Sequence, residues 1–104
     1  MLYQGEDIAI RIGGDSKVDL ANNDFVVYVY PSGGGNGMVY SKDELEYEDG
    51  IYMLVIPHAT TIDMLGTYGI EVMAVIDSDR RSIYCKDNAF TVNRARIGHM
   101  NIEI

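Results

Sequence analysis

Few side chains in this 104-residue sequence could carry out covalent chemistry. Cys85 is the only cysteine, and His58 and His99 are the two histidines. A thiol beside an imidazole could act as a nucleophile with its base, but no third residue is marked to orient the imidazole. We therefore expect Cys85 to be an inert, buried strand residue and His58 to lie in a surface connection, and we expect no catalytic residue.

Three aspartates toward the end of the chain, Asp77, Asp79 and Asp87, could supply oxygen ligands to calcium. Calcium sites need about six to eight oxygen ligands at fixed positions, and the EF-hand spacing with its glycine is missing here. The pattern favours solvated turns. The sequence therefore predicts no metal ion and no cofactor.

A second acidic group comprises Glu44, Glu46, Glu48 and Asp49. Paired acids can cleave glycosidic bonds when two carboxyl groups lie at a set separation across a cleft and one of them has a raised pKa. An exposed acidic strand edge, which also discourages aggregation between sheet edges, is the favoured interpretation.

The glycine-rich stretch GGGNG, at residues 33–37, could be taken for a phosphate-binding loop. A P-loop contains a lysine followed by serine or threonine and leads into a helix, whereas extended sequence follows here. The stretch is therefore predicted to be a flexible connection between strands.

Tyrosines are the remaining candidates for molecular recognition, and the chain has eight of them. Five lie on or near neighbouring predicted strands: Tyr28, Tyr30, Tyr40, Tyr47 and Tyr52. An exposed row of tyrosines could contact a protein or a sugar, because each ring gives a large rigid area with a polar tip. The alternative, which the sequence favours, is packing at the margins of the fold.

These side chains are positioned by segments in which hydrophobic residues recur with a period of two, as in β-strands. Ile8, Ile10 and Ile12, for example, share one face of the first such segment. The segment at residues 24–30 is apolar on both faces and is predicted to be a central strand. Seven strands are predicted, at residues 6–12, 24–30, 38–42, 51–56, 66–77, 82–86 and 89–92.

Turn signals separate the predicted strands at intervals typical of a β-sandwich. Tight turns are predicted at Asp49-Gly50 and Asp87-Asn88, and a hairpin turn at residues 77–81. Residues 58–66 are the one plausible place for a helical turn. The third strand could continue through the acidic stretch as far as Tyr47.

Composition and charge exclude several classes of protein. The length predicts one domain, and a hydrophobic content of 47% with 23% charged residues is that of a globular protein. Apolar runs are too short to span a membrane, and no secretory signal is recognised, so a cytoplasmic site of synthesis is expected. The formal net charge of -8 would repel nucleic acid and anionic membranes.

The order of the sequence elements resembles the N-terminal immunoglobulin-like domain of phage baseplate upper proteins and related tail-fibre proteins. The elements are, in order, GEDIAIRI, VDL, FVVYVY, the Asp49-Gly50 turn, IYMLVIP, ATTIDML and GTYGIEVMAVIDSDRRSIYCKDNAFTV. The resemblance covers residues 5–93, and the GGGNG loop and the locally basic tail depart from it.

The resemblance implies an all-β, immunoglobulin-like antiparallel β-sandwich of about seven strands over residues 1–93. Residues 94–104 are expected to be a tail, a linker or an extra edge strand. The implied function is that of a non-enzymatic structural or adaptor domain. Its partners would be tail or baseplate proteins or other copies of the chain, and the assembled protein would be part of a virion. The alternative is a carbohydrate- or ligand-binding β-sandwich module.

Overall fold

The computed structural model describes residues 1–13 and 20–95, and within them the chain forms eight strands. The strands are β1 (Leu2–Tyr3), β2 (Ile8–Gly13), β3 (Phe25–Pro31), β4 (Met38–Ser41), β5 (Glu46–Glu48), β6 (Ile51–Ile56), β7 (Gly66–Ile76) and β8 (Asp79–Asn93). A 3₁₀ turn at Lys42–Glu44 follows β4, and a single helical turn, α1 (His58–Thr61), follows β6. The predicted tail lies outside the described residues from residue 96 onward.

The strands form two sheets, one of five strands in the order β1-β8-β7-β3-β4 and one of three in the order β2-β6-β5. All neighbours are antiparallel except β1 and β8, which are parallel. Strands β2, β5 and β6 occupy the positions of strands B, D and E of an immunoglobulin domain, and β3, β7 and β8 those of C, F and G. The predicted all-β, immunoglobulin-like sandwich is therefore confirmed, with eight strands instead of about seven.

Tyr68 supports the same assignment through a local contact at the start of β7. Its hydroxyl accepts a hydrogen bond from the backbone N–H of Leu65, three residues upstream, at 3.2 Å. A tyrosine that bonds back to the preceding connection near the start of strand F is a hallmark of immunoglobulin-like sandwiches. The contact fixes the path of the chain as it crosses from β6 in the small sheet to β7 in the large one.

The core lies between the two sheets and takes alternate residues of the strands. Phe25, Val27 and Val29 of β3 are buried, whereas the residues between them are only partly covered. The same alternation buries Ile8 and Ile12 of β2. The other buried hydrophobic residues are Leu20, Leu45, Tyr52, Leu54, Ile56, Met64, Tyr68, Ile70, Val72, Ala74 and Val92.

Two connections differ from the prediction. Strand β4 does not continue to Tyr47, because the 3₁₀ turn redirects the chain and buries Leu45, so that β5 joins the small sheet. Asp87-Asn88 is not a turn between strands, since β8 runs unbroken through it. Asn88 has a φ of 56° there, and the pairing of β7 with β8 shifts register at this point. The local turn signal is thus absorbed as a bulge.

The other predicted turns are confirmed. Asp49 and Gly50 both have positive φ, 51° and 81°, as do Asp77 and Ser78, 51° and 68°. Two successive residues with positive φ are the signature of a type I′ hairpin turn, whose twist matches that of the flanking strands. The β7–β8 turn is shorter than predicted, because β8 already begins at Asp79.

Lys42 connects the loop before β3 to both sheets. Its side chain extends from the 3₁₀ turn, and its ammonium lies 5.7 Å from the ring centroid of Phe25 in the large sheet and 5.6 Å from that of Tyr52 in the small sheet. It also donates hydrogen bonds to the backbone carbonyls of Leu20 at 2.8 Å, Ala21 at 2.9 Å and Asn23 at 3.0 Å. All three donors of the ammonium are therefore used, on a cation held over two aromatic rings.

Replacing Lys42 by methionine is expected to lower the free energy of unfolding by about 2 kcal/mol, because three carbonyls lose a charged donor and the cation–π contacts are lost. Methionine keeps an unbranched apolar stem. Urea denaturation measures the change. Lys86→Met, at an exposed position of β8, is the matched control and should change stability by less than about 0.5 kcal/mol. Equal effects of the two substitutions would contradict the role assigned to Lys42.

Candidate functional site: the outer face of the large sheet

The five predicted contact tyrosines occupy three different places. Tyr28 and Tyr30 lie side by side on the outer face of β3. Tyr40 is paired with the buried Val27 and so belongs to the inner side of β4, where it packs against the core. Tyr47 and Tyr52 pair across β5 and β6, with ring centroids 4.7 Å apart.

The tyrosines therefore do not form one exposed row. Tyr52 is 6% exposed and belongs to the core, where it meets Phe25 edge to face at 5.0 Å. Tyr47 is 56% exposed on the edge strand of the small sheet. Only Tyr28 and Tyr30, with ring centroids 5.2 Å apart, form a pair on the outer face of a sheet.

Glycines make room for this pair of rings. Gly37 lies against the Tyr28 ring and Gly69, the direct cross-strand partner of Tyr30, lies against the Tyr30 ring. A Cβ atom at either glycine would come within 3.0 Å of ring atoms, which real side chains do not tolerate. Each ring therefore packs directly against the backbone of a glycine. Both ring positions require that Gly37 and Gly69 have no side chain.

The hydroxyl of Tyr30 is held by β8. It donates a hydrogen bond to the Asp87 carboxylate at 2.5 Å and lies 3.5 Å from the thiol of Cys85. The hydrogen bond to Asp87, with a smaller effect of Cys85, raises the pKa of Tyr30 well above its usual range. Deprotonation would remove the hydrogen bond that the phenol donates, so the phenol stays protonated.

The outer face around the tyrosine pair carries aliphatic side chains and a charged residue. Val39 of β4, opposite Tyr28, is 63% exposed. Across β3, Val26 is opposite Met73, and both are partly covered. We define the outer face by these three residues with Tyr28, Tyr30 and Val75. Glu71 of β7, opposite Tyr28 on the other side from Val39, is a charged residue within this face and accepts a hydrogen bond of 3.1 Å from Ser82.

Cys85 is exposed, which corrects the expectation of a buried strand cysteine. It lies opposite Glu71 on β8 and beside the hydroxyl of Tyr30, so its side chain is on the outer face of the large sheet and not in the core. His58 begins α1, where its backbone N–H donates to Asp7 at 2.6 Å and its ring Nδ1 is 3.3 Å from the same oxygen. The thiol and the imidazole thus have different partners on different elements.

The acidic residues also lie apart from one another. Asp79 is 4.0 Å from Arg81 and Asp87 accepts from Tyr30, while Asp77 is in the hairpin turn. Within residues 1–13 and 20–95, no group of three or more histidine, cysteine or acidic side chains is placed to hold a metal ion. Glu46 and Glu48 lie on β5, and all of β5 is exposed at the edge of the small sheet, as expected for an acidic edge.

A second feature, which the sequence did not indicate, is a half-open cleft of about 350 Å³ at the end of the sandwich that carries α1. It forms where the β3–β4 loop faces α1 and the residues after it. We call it the end cleft, and its lining residues are Val29, Pro31, Asn36, Gly37, Met38, Ala59, Thr60, Asp63, Met64 and Tyr68. The GGGNG loop and ATTIDML segment each carry a turn signal, but only the fold places them against each other.

Comparison of the chain with models of protein families, with curated proteins and with solved structures found no match. In the described part of the chain, no helix is long and apolar enough to cross a membrane. Function is therefore inferred from the residues of the outer face and the end cleft.

Replacing Asp87 by asparagine is expected to lower the pKa of Tyr30 toward its ordinary value, because the hydrogen bond that mainly raises this pKa loses its charged acceptor. NMR titration of isotope-labelled tyrosine rings measures the shift. Tyr40 is the internal control. Burial is the main cause that raises its pKa and the charge of Glu44 is the second, so neither cause involves Asp87. An unchanged Tyr30 titration would show that Asp87 does not control the phenol.

Proposed function

We propose that this chain is a non-enzymatic structural or adaptor domain that mediates protein–protein assembly through the outer face of its five-stranded sheet. The observation that carries the proposal is the rigid pair of Tyr28 and Tyr30 beside the exposed Val39. Rings fixed before contact lose little conformational freedom on binding. Tyrosine is enriched in protein interfaces, where its ring gives a large contact area and its hydroxyl a polar group.

The non-enzymatic part of the proposal is supported by how the reactive side chains are distributed. Cys85 contacts a tyrosine hydroxyl and His58 contacts Asp7, so neither is placed with the other as a nucleophile and base. The carboxylates of the β8 region are used in separate surface contacts. This distribution suits a surface for binding more than a site for turnover.

The proposed setting is a phage tail or baseplate, where the domain would join copies of itself or connect larger proteins of the virion. The support is the resemblance of the element order over residues 5–93, together with the immunoglobulin-like strand arrangement. The genes that flank this one test the setting. Neighbouring tail and baseplate genes would agree with it, and genes for polysaccharide use would favour a carbohydrate-binding role.

Self-association through the outer face is tested by light scattering across a concentration series. We expect the apparent mass to rise above the 11.6 kDa of the single chain. Val39→Lys should keep the chain at that mass, because it places a charge directly beside Tyr28 in the proposed contact area.

Val55→Lys is the matched control, because Val55 is 39% exposed on the outer side of the small sheet. It introduces the same charge on the opposite face and should leave self-association unchanged. A chain that stays monomeric at every concentration would remove self-association from the proposal. If Val39→Lys and Val55→Lys disrupt self-association equally, the outer face is not the surface through which the chain associates.

A carbohydrate-binding role is a second candidate, favoured by the stacked rings of Tyr28 and Tyr30 next to the Asp87 carboxylate. Flat aromatic area beside a hydrogen-bond acceptor suits the apolar face and hydroxyl groups of a sugar. A glycan array tests this role directly. Signals that disappear in Tyr28→Ala would support it, and no binding above background would count against it.

A further inference from the structure

The end cleft combines a single charge with an apolar interior. Among the described residues that line it, Asp63 is the one charged side chain. Asp63 and Asn36 are exposed and Thr60 is partly covered, and their side chains make no hydrogen bond or ion pair within residues 1–13 and 20–95. Three polar groups that can accept hydrogen bonds therefore face one cleft without an internal partner.

The other side chains that line the end cleft are mostly aliphatic. Val29 and Met64 are buried, and Met38 is partly covered and packs against the core. The accessible apolar surface therefore comes from Pro31, Met38 and Ala59, with the buried pair behind it. Methionine side chains are flexible and adapt to the shape of an apolar guest. The cleft therefore suits a narrow aliphatic chain that ends in a cation.

We propose that the end cleft binds the side chain of a lysine on a partner protein. The four methylene groups of lysine match the apolar wall, and its ammonium offers three donors to the Asp63 carboxylate, the Thr60 hydroxyl and the Asn36 amide oxygen. That the lysine belongs to a partner rests on the proposed adaptor function. The match between cleft and side chain rests only on the lining residues.

Other side chains fit this lining less well. A purely apolar guest would cover Asp63 without pairing it, which costs free energy, and an acidic guest would be repelled. Arginine gains most from bidentate pairing and from stacking on an exposed ring, but the aromatic ring that lines the cleft, Tyr68, is buried. A primary ammonium is the group that one carboxylate and two neutral acceptors suit best.

The probe for this site is lysine with both its amino-terminal and carboxyl-terminal groups blocked, titrated into the isotope-labelled full chain and followed by NMR. Backbone signals of Gly37, Thr60 and Asp63 are expected to shift. The same compound acetylated at Nζ keeps the stem and loses the charge. It is expected to produce no comparable shift at these positions.

Asp63→Asn removes the charge, keeps the shape, and is expected to weaken binding of the blocked lysine about tenfold, as for loss of a charged hydrogen bond. Asp43→Asn is the matched control, since Asp43 is exposed in the 3₁₀ turn and does not line the cleft. It makes the same change in net charge and should leave affinity unaltered.

The proposal is overturned if the blocked lysine shifts no cleft signal, if the acetylated compound binds equally well, or if both substitutions weaken binding to the same extent. The readout uses a blocked amino acid and is independent of assembly. A chain that stays monomeric yet binds the probe would refute self-association alone. A chain that assembles but ignores the probe would refute the lysine site alone.

Discussion

The fold depends on the burial of two apolar sheet faces against each other. The described strands form hydrogen-bonded ladders only within their own sheet, so packing of the faces is what joins the two sheets. Phe25, Val27 and Val29 from the large sheet and Leu54 and Ile56 from the small sheet are almost completely removed from solvent. Full burial of such a side chain contributes about 1.5–3 kcal/mol. The edge-to-face contact of Phe25 with Tyr52 adds a directional element to an otherwise non-directional attraction.

The crossings between the sheets need polar contacts as well, since backbone groups there have no ladder partner. Lys42 satisfies three carbonyls of the loop before β3, and Thr61, a fully buried polar residue at the other end of the sandwich, donates to the carbonyl of Glu6 at 2.6 Å. Tyr68 secures the crossing into β7. The two ends are thus held by side chains that bond to backbone, which leaves loop surfaces available for recognition.

The two candidate recognition surfaces follow from the burial of the sheet faces and from the way the chain crosses between the sheets. Alternation along β3 places Tyr28 and Tyr30 outside whenever Phe25, Val27 and Val29 are inside, and Gly37 and Gly69 let the rings lie on the sheet. The end cleft arises at a crossing, where a glycine-rich loop faces α1. One surface is therefore a product of strand periodicity, and the other a product of how connections meet at the end of a sandwich.

The sequence alone determined the all-β class, the position of most strands, the residues that share one face of β2, and the turn at Asp49-Gly50. Each of these follows from a local period or a local backbone preference. Only the tertiary structure decided that Tyr28 and Tyr30 form a pair apart from Tyr40, Tyr47 and Tyr52, that Cys85 is exposed, and that the Asp87-Asn88 signal is a bulge. It also created the end cleft. These features depend on which strands become neighbours and in what register they pair. Strand neighbours and register join residues far apart in the chain, and no local sequence pattern specifies them.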